Sequence, residues 1–190
     1  MGRFRGVHHP AFATADVDRT VHFWRDLLGL RLVYTSGGPG ERQYFFEVAA
    51  GSYVAFFEWE GVEAPRPKRP GQAVAGPFLF DHLCLAVEDE EHLWELSDRL
   101  FAADYPITDA VDHGFAHSVY TFDPNNVPLE LAAPTPGVEL GKPARLRDRP
   151  QTESAREGPA PVAGRWPEPE PLPAEERIVI TGGGSEDFRD

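Results

Sequence analysis

His9-Pro10-Ala11-Phe12-Ala13-Thr14-Ala15-Asp16 and His82-Leu83-Cys84-Leu85-Ala86-Val87-Glu88-Asp89 are two copies of one pattern. In each, a histidine at the start of an apolar run is followed seven residues on by an aspartate suited to cap a helix. Working outward, apolar residues recur at matching offsets: Val21 with Trp94, Phe23 with Leu96, Leu27 with Leu100 and Leu28 with Phe101. This is helical spacing, so the chain carries a duplicated strand-helix unit. Trp24, Phe23 and Trp94 are expected in the core. One histidine at the same place in both copies points to a metal site where the copies meet.

The rest of each copy follows the same order. In the first, residues 7–15 read as a strand and 16–28 as a helix with Val17, Val21, Trp24 and Leu28 on one face. Strands over 30–36, 41–49 and 52–59 follow, separated by Gly37-Gly38-Pro39-Gly40 and Gly51. In the second, a strand over 80–87 and a helix over 89–103 precede strands near 106–110, 116–122 and 127–132. Asp123-Pro124-Asn125-Asn126 forms the last turn. The predicted fold is α+β: two βαβββ modules forming a curved mixed sheet around a concave metal or ligand pocket, with a Pro-rich C-terminal tail. Module one spans about 6–60, a linker 61–78, and module two about 79–133. Each sheet has one helix-covered face and a second that must be buried or become a pocket.

The tail, 134–190, is rich in Pro and Gly and is expected to be extended, with Trp166 and Ile178-Val179-Ile180 as docking elements. Thr181-Gly182-Gly183-Gly184 is not a phosphate loop, since no Lys-Ser/Thr follows. A formal charge of -13 disfavours nucleic acid and anionic lipid, and no apolar run reaches the roughly 18 residues that span a bilayer. The one cysteine, Cys84, excludes an intramolecular disulfide, and no apolar leader is apparent. The expectation is a cytoplasmic protein acting on a small molecule, with neither a nucleic-acid nor a membrane partner.

Parity then decides which side chains can meet, because successive residues of a strand face opposite ways. His9 shares a face with Ala11 and Ala13, and His82 with Cys84 and Ala86, while the bulky residues between them belong against the helices. In the last strand Val127, Leu129 and Leu131 form the apolar face, so Glu130 points to the side of the histidines. A carboxylate midway along an apolar strand needs a partner, and a cation is the natural one. Two imidazoles and a carboxylate are the ligand set of non-haem Fe(II) oxygenases, and also suit Mn, Zn or Ni. His8 has the wrong parity for such a site, His22 and His92 lie on helices, and Arg42 is most simply a solvated cation.

The segment from His9 through Trp24-Arg25-Asp26-Leu27-Leu28-Gly29-Leu30 resembles the first strand and helix of the vicinal oxygen chelate superfamily, also called the glyoxalase/bleomycin resistance/dioxygenase superfamily. The resemblance covers 1–133, implies the paired-module fold, and places the metal ligands at His9, His82 and Glu130. A four-ligand glyoxalase-type site would need an acid on the fourth strand of the first module. There the alignment puts Phe56 or Ala55, with Glu58 two residues away, which favours three ligands. His113, Tyr120, Asp123-Pro124 and Glu130 resemble the signature of extradiol ring-cleaving dioxygenases. That implies Tyr120 in the pocket, His113 as a mobile acid/base, Fe(II) as the metal and an aromatic diol as the substrate, with His117 on the opposite strand face. The other activities that the resemblance allows are a Zn- or Ni-dependent lyase or isomerase and a metal-free ligand-sequestering protein. Members often pair modules between chains, so a homodimer is expected.

Overall fold

Both copies fold into four-stranded mixed sheets with the same strand order. The computed structural model describes residues 4–76, 80–147, 149–177 and 179. In the first module β1 (Ala11–Thr14) runs parallel to β4 (Ser52–Glu58), which pairs antiparallel with β3 (Glu41–Ala49) and that with β2 (Arg31–Gly38), giving the order β1-β4-β3-β2. In the second, β5 (Leu83–Ala86), β8 (Pro128–Pro134), β7 (Ala116–Phe122) and β6 (Val111–Asp112) repeat it as β5-β8-β7-β6. The duplication read from two short segments thus extends to the full topology. Gly37 opens the β2–β3 hairpin at φ +83°, where a Cβ would collide with the Glu41 carbonyl, so only glycine fits.

The helices differ more than the sheets. α2 (Glu90–Ala102) is capped by Asp89, whose carboxylate accepts from the His92 N–H, and it buries Leu93, Leu96 and Leu100. The first module's helix is capped in the same way by Asp16, but it is α-helical only over α1 (Val17–Val21) and continues as a π-helix from His22 to Leu27. The wider π turn accommodates one extra residue. Leu28 is consequently buried, whereas Phe101, its counterpart by sequence, is 75% exposed. Trp94, expected in the core, is 45% exposed because the buried stripe of α2 runs through Leu93, Leu96 and Leu100 and leaves it to one side. The strand expected near 106–110 is irregular backbone, and the edge strand is the two-residue β6 instead.

One apolar core joins both modules, with Phe23, Trp24, Phe46 and Phe56 from the first and Leu93, Leu100, Leu129 and Leu131 from the second. Trp24 is fully buried and its Nε1–H donates to Asp123 Oδ2 at 3.1 Å, tying the first helix to the β7–β8 turn. Asp123 is also held by the Asn125 and Val127 N–H groups at 2.8 and 2.9 Å. Burial pushes its carboxyl up, against these donors, which pull it down. Asn126, in the same turn, has φ +60°, a left-handed conformation that Asn tolerates.

The chain divides between Lys142 and Pro143 into two units. The second holds the short helix α3 (Glu153–Arg156) and a 3₁₀ turn, Ala174–Glu176, in otherwise irregular backbone. Ile178, Ile180, the glycine run at 182–184 and the 78/79 linker boundary lie outside the described residues. Among the described residues no helix is long and apolar enough to cross a membrane.

Candidate functional site

The register of the second sheet sets three side chains in a row. Cys84 of β5 is opposite Glu130 of β8, and Glu130 is opposite Tyr120 of β7. Leu129 and Leu131 are buried against the helices, so alternation turns Glu130, Cys84 and Tyr120 to the other face, as parity predicted. His82 enters just before β5, with Nε2 2.8 Å from Glu130 Oε2. His113, in the loop after β6, has Nε2 2.8 Å from the Tyr120 hydroxyl and 3.8 Å from Glu130 Oε1. Four of the five residues singled out from sequence, His82, His113, Tyr120 and Glu130, therefore form one cluster.

The electrostatics of this cluster follow from its burial. Glu130 is only 8% exposed. A carboxylate so placed requires donors or a cation, and His82 supplies one contact. Burial, reinforced by the charge of Glu130, pushes the Cys84 thiol up to about 12, and it pushes the Tyr120 phenol up to about 12 for the same reasons. Both groups are therefore neutral at physiological pH, and the Tyr120 hydroxyl is available as a donor. His117 lies on the opposite strand face, with Nδ1 3.1 Å from Glu90 of α2, as the alternation required.

His9 lies on the other sheet. Its ring packs edge-on against Phe45 at 5.2 Å, and its Nδ1 is 2.7 Å from His8 Nδ1. His8, set aside on parity, thus adjoins His9 at the entry to β1. Phe45 contacts Tyr34 and Tyr53, making an aromatic surface beside His9. Among the described residues no three His, Cys, Asp or Glu side chains converge in metal-binding proximity, so one chain brings together His82 and Glu130 but not His9.

Matching the two sheets through their registers locates the first module's counterpart of Glu130. Cys84 pairs with Glu130 as Ala11 pairs with Ala55, so the equivalent residue is Ala55 and not Phe56, which is fully buried in the core. Glu58 faces away, with Oε2 2.8 Å from Arg42 Nη1 and 3.3 Å from the Gly40 N–H. Arg42 is accordingly an ion-pair partner and not a solvated cation.

Two modules of identical strand order, a histidine ahead of the first strand of each and a buried glutamate on the last are matched by one family model, Glyoxalase/Bleomycin resistance protein/Dioxygenase superfamily, over residues 6–131. The chain belongs to this superfamily. Solved structures share the fold. A glyoxylase/bleomycin resistance protein/dioxygenase domain from Frankia sp. EAN1pec is 20% identical, with a TM-score of 0.56 over 70% of this chain and 99% of that one. The genomically encoded fosfomycin resistance protein FosX from Listeria monocytogenes, as a mutant complexed with Mn(II) and 1S,2S-dihydroxypropylphosphonic acid, is 21% identical, with a TM-score of 0.53 over 70% and 93% of the two chains. FosX from Mesorhizobium loti is 18% identical, with a TM-score of 0.52 over 70% and 94%. No curated protein matches the sequence.

An imidazole nitrogen with a carboxylate is a donor pair that divalent ions take. An imidazole nitrogen and a buried carboxylate share an open sheet face, and Asp81 Oδ1 lies 2.7 Å from the other nitrogen of His82. Such outer-shell support is common at metal sites. Asp81 is the residue that sequence reasoning missed; its only signal was its place immediately before the repeat histidine.

Proposed function

We propose that the protein is a metal-dependent enzyme of extradiol-dioxygenase type, acting on an aromatic diol or similar bidentate oxygen substrate, with His82, Glu130 and His9 of the partner subunit as the metal ligands. The observation that carries this reading is the buried Glu130 carboxylate 2.8 Å from His82 Nε2, with the Tyr120–His113 pair on the same open face. Because His9 is not part of this cluster, a homodimer that apposes the first sheet of one copy to the second sheet of the other completes the ligand set.

When bound, a divalent cation, Fe(II) in this proposal, supplies Lewis-acid polarisation of two neighbouring substrate oxygens and a redox partner for O2. The chain's own residues do the rest. Tyr120, a neutral phenol pushed further up to about 12, donates a hydrogen bond to a substrate oxygen. His113 Nε2, 2.8 Å from that hydroxyl, takes or returns a proton there. The aromatic surface of Phe45, Tyr34 and Tyr53 beside His9 offers faces and edges to a planar ring. The engagement of Glu58 by Arg42 supports a three-ligand centre over a four-ligand glyoxalase one.

Anaerobic loading with Fe(II), followed by O2-electrode assays against catechols, tests the reaction. O2 uptake that is lost in Glu130→Ala is expected. Loaded protein that consumes no O2 with any catechol, and purifies with Zn or Ni, would overturn the dioxygenase reading in favour of the lyase or isomerase. Ligand binding unchanged in His9→Ala and His82→Ala would instead favour a metal-free sequestering protein.

A further inference from the structure

In both repeats the residue immediately before the repeat histidine touches that histidine's Nδ1. In the second repeat this is Asp81, with Oδ1 2.7 Å from His82 Nδ1; in the first it is His8, with Nδ1 2.7 Å from His9 Nδ1. Neighbours on a regular strand cannot make such contacts, since their side chains point to opposite faces. Residues 81 and 82 lie at the entry to β5, and 8 and 9 at the entry to β1, where the His8 and Pro10 carbonyls still accept from the Tyr53 and Ala55 N–H groups. The duplication has kept this arrangement although the residue types differ.

Asp81 is itself held from the inter-module linker. Lys68 Nζ pairs with Asp81 Oδ2, and its side chain is only 14% exposed, an unusual place for a lysine head without charge partners. The Gly71 N–H donates to Asp81 Oδ1 at 2.8 Å. That amide is aimed by the turn Arg69-Pro70-Gly71-Gln72, closed by Gln72 N–H to the Arg69 carbonyl at 3.1 Å, with Gly71 at φ +68°. Proline followed by a residue of positive φ is the signature of a type II turn. The linker is also tied to the β7–β8 turn, where Asn126 Nδ2 donates to the Pro65 carbonyl at 2.8 Å.

We propose that Asp81, locked by Lys68 and the Gly71 N–H, is the positioning residue that holds the His82 ring so that Nε2 faces Glu130. This rests on the reading of His82 and Glu130 as metal ligands. It adds that the linker, through Lys68 and the Gly71 N–H, sets the affinity of the site. An imidazole held at Nδ1 keeps its ring orientation and presents Nε2, and outer-shell partners of this kind are worth about 10- to 100-fold in metal affinity.

Zn(II) titration calorimetry on the full chain tests it, with metal-free thermal melts as the check on folding. Asp81→Ala is expected to weaken Zn(II) binding by about 10- to 100-fold. Asp81→Asn, which keeps an acceptor oxygen, should lose less, and Lys68→Met should weaken binding where Lys68→Arg restores it. Combining Lys68→Met with Asp81→Ala should add nothing further, because the lysine acts through the aspartate. Asp81→Ala binding within twofold of wild type, while His82→Ala abolishes binding, would overturn the positioning role and leave the metal site standing. Unchanged affinity in His82→Ala would remove the metal reading and this proposal with it. Should Asp81→Ala fail to fold, Lys68→Met decides: unchanged affinity there overturns the proposal.

Discussion

A site split between two chains makes a quantitative prediction through complementation. One variant, His9→Ala, keeps His82 and Glu130; the other, His82→Ala, keeps His9. Each homodimer has two damaged sites and should bind little metal. His82 and Glu130 lie together while His9 stands apart from them, so under the proposed assembly a mixed dimer would join the intact His82 and Glu130 of one chain to the intact His9 of the other. Its second site carries both lesions. Random pairing of equal amounts gives half mixed dimers with one good site in two, so about a quarter of wild-type capacity should return. The assay is refolding of a one-to-one mixture followed by Zn(II) titration calorimetry, read as stoichiometry so that weak residual binding does not obscure it. Recovery of O2 uptake in Fe(II)-loaded mixtures should follow the same fraction. A mixture that binds no more than either variant alone would refute assembly between chains. Wild-type stoichiometry in either single variant would remove that histidine from the ligand set.

Further consequences concern the buried links around the site. Trp24→Phe removes the Nε1–H donor to Asp123 and part of a fully buried ring, about 3 kcal/mol from the hydrogen bond and the space left behind. For a unit of 142 residues that is a drop of about 10 °C in melting temperature, and a shift under about 3 °C would show that the bond does not clamp the modules. Cys84 is exposed, yet desolvation at the sheet face and the charge of Glu130 push its thiol up to about 12, so its reaction with a disulfide reagent should be slower than that of an ordinary thiol and still climbing past pH 9. Glu130→Gln should speed that reaction, because it removes the secondary, electrostatic part of the shift; an ordinary rate in the unmodified protein would contradict the burial argument. Glu58→Gln should leave Zn(II) affinity within twofold, since Arg42 holds that carboxylate away from the site, whereas Glu130→Ala should cost more than the 10- to 100-fold of an outer-shell change.

Much of this was legible in the residues because the relevant physics is local or periodic. Asp16 and Asp89 announce their helices by cap chemistry, and alternation alone turned Glu130 away from Leu129 and Leu131 and separated Tyr120 from His117. What escaped was set by register and by contacts between distant segments. The alignment left Phe56 or Ala55 as the counterpart of Glu130, and the β1–β4 pairing assigns that place to Ala55. Trp94 and Phe101 matched buried partners by offset, but the buried stripe of α2 passes Trp94 by, and the π turn before Leu28 has no equivalent before Phe101. Asp81 and Lys68 carried no periodic signal, since a contact across 13 residues of Pro-rich linker has no spacing rule.

The repeated histidine-to-aspartate segment determined the superfamily and the α+β modules, and strand alternation the side to which Glu130 turns, because capping and two-residue periodicity act over a few bonds and survive in one dimension. Only the tertiary structure decided that His82 and Glu130 meet while His9 stays apart from them, and that Asp81, held from the linker by Lys68, stands behind His82. Those outcomes depend on how two sheets pack through one shared core, which no local pattern encodes.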